Sequence, residues 1–191
     1  PGSLISEQED LEISAIRTLT ELTGLKDIFL KQYAVFGDPN RLKPPEDLEW
    51  LRRTSGVKVD RVVTVAYYSL IKISDSAITE KTIWHPVNNL PELIFDHNHI
   101  VMEALLNLRN EFRSKPLCFE LLPKKFTLRQ LQDIFESILN ITLDSRNFRK
   151  KIRKLNYLTA LPEKEKNVNH KPAKLYKFDR HRYEKKEMPL L

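Results

Sequence analysis

The stretch from residue 144 to residue 155 limits the possible folds most, because it combines a helical apolar stripe with dense positive charge. Phe148, Ile152 and Leu155 recur at about one helical turn, so they share one face of a helix. Asp144 can cap the start of that helix through its side-chain oxygen. The rest of the helix surface consists of Arg146, Asn147, Arg149, Lys150, Lys151, Arg153 and Lys154. Such a helix suits a phosphate backbone, although a charge run alone is more often a solvated face.

The surroundings of this basic helix favour DNA binding. Thr127 and Gln130 form a T-x-x-Q capping box, which predicts a preceding helix. Its apolar face consists of Leu128, Leu131, Phe135, Ile138 and Leu139. The short connection 140–144 then gives a helix-turn-helix, whose second helix enters the major groove. Two strands are predicted at 157–161 and 173–178, joined by a polar loop at 162–172, and the order helix, helix, hairpin is that of a winged helix.

Charge divides the chain into two parts. Residues 119–191 carry 18 Lys and Arg against nine Asp and Glu, whereas residues 1–118 carry 14 against 17. A basic half joined to a mildly acidic one indicates a polyanionic partner for the basic half. No long amphipathic helix with aromatic residues on its apolar side accompanies the charge, so DNA is favoured over a membrane surface.

Length and composition set wider limits. A chain of 191 residues allows one large or two small domains, and 41% hydrophobic residues suffice for packed cores. Cys118 is the single cysteine, which fits a reducing, cytoplasmic location, and its apolar neighbours predict a packed thiol rather than a nucleophile. No apolar run approaches the ~20 residues that span a bilayer. The chain starts at Pro1 without Met, so we expect N-terminal strands to be missing.

The N-terminal part is predicted to be mixed α/β. A helix is expected over 7–25, with Gly24 as its C-cap. Strands are expected at 27–36 and 61–73, and a second long helix at 94–112. The segment 43–58, which begins with Pro44-Pro45, is expected to be an exposed insertion.

The first helix resembles a degenerate Nudix box, G-x5-E-x7-R-E-U-x-E-E-x-G-U, where U is a bulky aliphatic residue. With Arg17 and Gly24 on the box Arg and Gly, Glu9 and Glu21 fall on two of its glutamates. The box needs several carboxylates on one helix face to hold Mg²⁺. Thr18 and Leu22 replace two of those glutamates, so the resemblance implies a Nudix-like module without hydrolase chemistry, metal or cofactor.

The rest of the chain resembles the Nudix-related transcriptional regulators. The motifs that carry this resemblance are Trp84-His-Pro-Val, Leu90-Pro-Glu-Leu-Ile-Phe-Asp-His97, Phe119-Glu-Leu-Leu-Pro123, Phe126 to Gln132, Asp144 to Lys151, and Leu175-Tyr176. The resemblance implies a Nudix-like α/β/α sandwich over 1–118 and a winged helix-turn-helix over 119–191. It further implies a cytoplasmic homodimer that leaves a palindromic double-stranded DNA operator when a small effector binds.

Particular residues are expected to carry these functions. DNA contacts are expected from Arg146, Asn147, Arg149, Lys150, Lys151, Lys154, Lys171 and Lys174, because Arg and Asn pair with base edges and Lys meets phosphate. Effector contacts are expected from Arg17, Glu21, Phe36 and Tyr67. The resemblance implies ADP-ribose or a sugar such as L-arabinose as the effector. ADP-ribose would be held partly through a metal ion, and two box carboxylates that would bind this ion are lost. A neutral pentose such as L-arabinose is therefore favoured over ADP-ribose.

Other interpretations stay open. The chain could instead be an ADP-ribose or nucleotide-sugar pyrophosphatase with an accessory nucleic-acid-binding domain. An RNA-binding module lacks aromatic residues for base stacking beside the basic helix. Asp96-His-Asn-His99 could suggest a metal site, but Asp96 or Asn98 is expected to cap the helix that starts near 97. Trp84 is expected to lie in the core and Trp50 to be partly exposed.

Overall fold

A computed structural model describes residues 2–26, 28–42, 45–56, 60–71, 83–169 and 171–185. The chain forms two compact units, residues 1–107 and 108–191. The helices are α1 (Leu11–Thr23), α2 (Pro45–Ser55), α3 (His97–Ser114), α4 (Leu128–Leu139), α5 (Ser145–Ile152) and α6 (Arg180–Glu184). The strands are β1 (Leu30–Phe36), β2 (Thr64–Ser69), β3 (Phe126–Thr127), β4 (Leu158–Lys164) and β5 (Lys174–Phe178). The predicted mixed α/β class is confirmed.

In the first unit, α1 begins and ends at the residues that cap it. The Asp10 carboxylate accepts a hydrogen bond from the Ile13 N–H at 2.8 Å, so the helix starts at residue 11 rather than at 7. Gly24 ends it in the left-handed conformation, with φ of 71°, as predicted. Strands β1 and β2 pair antiparallel, with Leu30 opposite Ser69. They are shorter than predicted, and Asp27 and residues 72–73 lie outside the described residues.

The predicted insertion contains a helix that the sequence reading missed. Pro45 is the first residue of α2, a position that proline favours because its missing N–H has no helical partner there. Only Leu48 and Leu51 give the helix an apolar stripe, which is too weak a signal for a confident helix prediction. The ends of the predicted insertion, 43–44 and 57–58, lie outside the described residues. Trp50 in α2 is 42% exposed, as predicted.

Two expectations near α3 were wrong. Trp84 is 47% exposed rather than buried in the core. The Asp96 carboxylate does not cap α3 but accepts from Nε and Nη2 of Arg41, at 2.9 and 2.8 Å. The Asn98 side chain points back before the helix, where its Oδ1 accepts from the Leu93 N–H at 2.8 Å. The segment before α3 is therefore held by one long-range ion pair, between Arg41 and Asp96, and by a local hydrogen bond of the Asn98 side chain.

The second unit has the better-packed core. Its three-stranded sheet has the order β3-β5-β4, and both strand pairs are antiparallel. Phe135 on α4 is fully buried and makes edge contacts with Phe112 on α3 and Phe148 on α5, at ring-centre distances of 4.9 and 5.8 Å. Cys118 lies in this core, and burial raises the pKa of its thiol far above its usual value. An inert packing role for Cys118 follows.

Candidate DNA-binding surface and effector site

Two capped helices form the centre of the candidate DNA-binding surface. The capping box at the start of α4 is present as predicted: the Gln130 N–H donates to Thr127 Oγ1 at 3.2 Å, and the Thr127 N–H donates to Gln130 Oε1 at 2.8 Å. Asn140 ends α4 with φ of 55°. The Asp144 carboxylate then accepts from the Asn147 N–H at 2.7 Å and caps α5 as predicted. The helix-turn-helix arrangement therefore has defined ends.

The apolar stripe of α5 holds this helix on the core. Phe148 and Ile152 are both buried, and Phe148 packs edge-on against Phe135 of the preceding helix. Leu155 follows the helix and is only half-buried. Because about 3.6 residues make a turn, Arg146 and Lys150 lie opposite the buried pair. The basic face of α5 is thus directed to solvent.

The structure exposes every residue predicted to contact DNA. Five of them lie on α5, and Lys154 follows in the turn after it. Lys171 lies in the loop before β5, and Lys174 is the first residue of that strand. The prediction that these residues contact DNA stays a prediction, but all eight side chains are accessible to a large anionic partner.

Lys164 is a further cationic residue of the hairpin, which the sequence reading placed in a loop. It is the last residue of β4 and pairs directly with Lys174 on β5. Like charges directly opposite each other on neighbouring strands are destabilising unless an anion compensates them. No alternating pattern along 158–164 predicts this extension of the strand, because the burial of these residues does not follow a period of two.

A buried polar contact joins α4 to the turn before α5. Gln132 Nε2 donates to Glu136 Oε1 and to the Leu143 carbonyl, both at 2.9 Å. The Leu143 N–H donates to the same Glu136 oxygen at 2.9 Å. These two hydrogen bonds, first that from Gln132 and then that from Leu143, lower the pKa of the Glu136 carboxyl. Neither Gln132 nor Glu136 was predicted from the sequence to have a role in the site.

In the first unit, Arg17 is held by its neighbours. Its Nε and Nη2 donate to both carboxylate oxygens of Glu9, at 2.5 and 2.9 Å, and its Nη2 also donates to the Leu4 carbonyl at 3.1 Å. The Arg17 guanidinium lowers the pKa of Glu9 to about 2. Glu21 is 61% exposed, and one of its oxygens lies 3.4 Å from Arg17 Nη1. Arg17 therefore has a structural role in addition to any effector contact.

The other two predicted effector residues lie on the β1–β2 pair. The Phe36 ring makes edge contacts with Tyr33 and His99, at centre distances of 6.3 and 5.7 Å. The Tyr67 hydroxyl bonds Gln32 Oε1 across the two strands at 3.2 Å. These contacts are all within the protein and do not indicate a ligand, so the effector roles of Phe36 and Tyr67 stay predictions.

The carboxylates near α1 are not gathered as a metal site requires. Glu9 is paired with Arg17, and Glu12 and Glu21 lie on opposite sides of the helix, because they are nine residues apart. The Thr18 hydroxyl donates to the Ser14 carbonyl at 2.8 Å and bonds Ser3 Oγ at 2.6 Å. Within the described residues, no three His, Cys, Asp or Glu side chains are grouped so that they could hold a metal ion.

One cavity in the first unit was not expected from the sequence. It measures about 200 Å³ and is lined by Asp47, Trp50, Ile94 and Phe95. The Trp50 and Phe95 rings meet at a steep angle, with their centres 5.6 Å apart. Phe95 has φ of 58°, a conformation that non-glycine residues rarely adopt. The cavity offers aromatic faces and one carboxylate to a small ligand.

Comparison with known proteins identifies the second unit. Residues 118–178 match the family model described as the NrtR DNA-binding winged helix domain. The second unit is thus similar to an NrtR-type winged helix. A relative from Acinetobacter baylyi, named ADPR responsive transcriptional repressor NtrR, is 29% identical over 187 residues. The match covers 93% of this chain and 68% of that relative.

Solved structures extend the likeness of the fold to both units. Shewanella oneidensis NrtR complexed with a 27mer DNA superposes with a TM-score of 0.71 at 23% identity, over 96% of this chain and 80% of that one. A second structure of Shewanella oneidensis NrtR superposes with a TM-score of 0.69 at 24% identity, over 93% of this chain and 78% of that one. A MutT/nudix family protein from Enterococcus faecalis gives 0.56 at 22%, over 93% and 73%.

These likenesses confirm two predictions. The resemblance to Nudix-related transcriptional regulators is confirmed, and so is the class of a Nudix-like fold followed by a winged helix.

Among the residues that the structure describes, none of the helices has the length and apolar character to span a bilayer.

Proposed function

We propose that this chain is a DNA-binding transcriptional repressor whose Nudix-like part responds to ADP-ribose. The observation that carries the proposal is the match of residues 118–178 to the NrtR winged helix. In this domain α5 buries its apolar stripe in the core and exposes its basic face to solvent. The Acinetobacter relative, named as an ADPR-responsive repressor, supports both parts of the proposal. We propose that the Nudix-like part covers 1–118 and the DNA-binding domain 119–191, and the start of the family match at residue 118 supports this boundary.

In this proposal α5 is the recognition helix. Its first residues, Arg146 and Asn147, face base edges, because HTH helices read bases mainly from their N-terminal end. Arg149 and Lys150 continue the same surface one turn later, while Lys151 and Lys154 meet the phosphate backbone. Lys171 and Lys174 on the hairpin, now joined by Lys164, track phosphate or the minor groove.

We propose ADP-ribose rather than a pentose as the effector. The preference for a neutral sugar rested on lost box carboxylates, whereas the name of the Acinetobacter relative supports ADP-ribose. Arg17, Glu21, Phe36 and Tyr67 remain the proposed contacts. The cavity beside Trp50 and Phe95 is a further candidate, because aromatic faces suit the adenine ring.

The decisive experiment measures DNA binding and effector response together. Fluorescence anisotropy is recorded on DNA from upstream of the protein's own gene and on scrambled DNA, with ADP-ribose, L-arabinose and other pentoses added in turn. We expect selective binding that ADP-ribose abolishes and sugars do not. Release by a sugar alone would overturn the proposed effector, and equal, salt-sensitive binding to both DNAs would overturn the repressor itself. Sedimentation of the complex on a palindromic site tests the proposed homodimer.

We also propose that the Nudix-like part is not a hydrolase. Thr18 and Leu22 stand at box glutamate positions, and the nearby carboxylates are paired or face apart. We therefore expect no Mg²⁺-dependent release of AMP from ADP-ribose above a no-protein control. AMP release that Glu21→Gln abolishes would instead establish the pyrophosphatase alternative.

A further inference from the structure

The contact between α4 and the turn before α5 has an unusual composition. The Gln132 side chain is only 1% exposed, yet it is an amide in a core of aromatic and aliphatic side chains. Both N–H groups of its amide donate hydrogen bonds, one to Glu136 Oε1 and one to the Leu143 carbonyl. Glu136 Oε1 additionally accepts the Leu143 N–H. Backbone donor and acceptor of Leu143 are therefore both held by side chains one turn apart on α4.

This arrangement allows only one orientation of the Gln132 amide. Both partners of Nε2 are acceptors, so a flipped amide would put its oxygen against a carboxylate oxygen and a carbonyl oxygen. The orientation that satisfies Leu143 leaves Gln132 Oε1 buried without a hydrogen-bond partner. An unsatisfied buried acceptor is costly. An apolar residue at 132 would avoid that cost, so packing alone does not explain the amide.

Leu143 lies immediately before the cap of α5. Asp144 accepts the Asn147 N–H, so the position of Leu143 fixes where the first turn of α5 begins. Arg146 and Asn147 are in that first turn. A displacement of the Leu143 peptide is thus carried directly to the side chains nearest the bases.

We propose that Gln132 and Glu136 are positioning residues of the DNA-binding surface, which hold the peptide of Leu143 so that the first turn of α5 is oriented for base recognition. The inference rests on the proposed function in DNA binding. Neither residue needs to touch DNA. They act through Leu143 and Asp144. Their loss therefore changes the orientation of the side chains that contact bases, but not the number of cationic side chains that can bind phosphate.

Base reading and phosphate binding respond differently to such a change. Hydrogen bonds to base edges need defined distances and angles, whereas flexible Lys and Arg side chains follow a phosphate backbone. The number of neutralised phosphates sets the slope of log affinity against log salt concentration. Loss of the contact should therefore lower operator affinity, leave affinity for scrambled DNA unchanged and leave the salt dependence on scrambled DNA unchanged.

The test compares two alanine variants on one helix. Glu136→Ala removes the acceptor of both hydrogen bonds, and we expect operator affinity to fall about tenfold, with affinity for scrambled DNA within about twofold of wild type. Asp133→Ala is the matched control, because Asp133 is a carboxylate of α4 that pairs only on the surface with Arg129. Glu136→Gln keeps an oxygen acceptor for Leu143 and Gln132, so it should retain most of the operator preference. Gln132→Leu removes the amide that donates to Glu136 and to the Leu143 carbonyl, and it should also lower the operator preference.

The outcomes separate this inference from the proposed function. The positioning role alone is overturned if the wild-type protein prefers its operator and the Glu136→Ala and Gln132→Leu variants retain that preference. Equal losses on operator and scrambled DNA, or a loss in Glu136→Ala that Glu136→Gln shares, also overturn it, because they indicate general unfolding or a charge effect. Circular dichroism at the assay temperature verifies that each variant is folded. Failure of the wild-type protein to prefer its operator overturns the proposed function instead.

Discussion

Replacing Arg149 with alanine is expected to weaken operator binding by more than about tenfold while leaving the protein folded. Arg149 is exposed in the middle of α5, one turn after Arg146, and its side chain is not part of the buried stripe of Phe148 and Ile152. A bidentate arginine–guanine pair contributes about 1–3 kcal/mol of discrimination. Alanine also favours the helix, so the backbone of α5 should not change. The measurement is fluorescence anisotropy on operator and scrambled DNA.

The control and the contradicting result are both available within this chain. Arg113 is an exposed arginine in the last turn of α3, and Arg113→Ala removes the same charge from a different helix. We expect it to change operator affinity by less than about threefold. Unchanged operator affinity in both Arg149→Ala and Arg146→Ala would contradict the assignment of α5 as the recognition helix.

Local signals made the DNA-binding half predictable from sequence. The capping box of Thr127 and Gln130, the cap at Asp144 and the stripe of Phe148 and Ile152 each involve residues within one or two helical turns. Short-range hydrogen bonds and helical periodicity are properties of the sequence itself. The hairpin followed from two short apolar runs, although β4 runs on to residue 164, inside the predicted loop.

Long-range contacts account for what the sequence did not reveal. Strand β3 has only two residues, Phe126 and Thr127, and exists because it pairs with Leu175 and Tyr176 far along the chain. The ion pair of Arg41 and Asp96 joins residues 55 positions apart, which no local pattern predicts. For the same reason the Gln132 contact was invisible, since a glutamine on an otherwise apolar helix face gives no hint of its partner at Leu143.

The candidate effector site was the least predictable part. The box alignment directed attention to Arg17, whose guanidinium is largely engaged by Glu9 and the Leu4 carbonyl. The cavity instead combines Trp50 from α2, which was predicted as an insertion, with Phe95 just before α3. A pocket built from segments distant in sequence requires coordinates, because only the fold brings its walls together.

Phe135→Ala is expected to have the largest effect on stability. Phe135 is fully buried and touches both Phe112 and Phe148, so its removal opens a cavity at the centre of the second unit. Replacement of a buried phenylalanine by alanine costs about 3–5 kcal/mol of unfolding free energy. Because a typical domain is stable by only about 5–15 kcal/mol, this loss is a large part of the total.

The effect of Phe135→Ala has to be followed by probes other than tryptophan, because Trp50 and Trp84 both lie in the first unit. Hydrogen exchange resolved by peptide is expected to show faster exchange throughout 108–191, and guanidinium unfolding followed by tyrosine absorbance should shift to lower denaturant. Ser137→Ala, at an exposed position on the same helix, is the control and should change the free energy of unfolding by less than about 0.5 kcal/mol. A loss below about 1 kcal/mol in Phe135→Ala would contradict the central place of this ring in the core that supports α5.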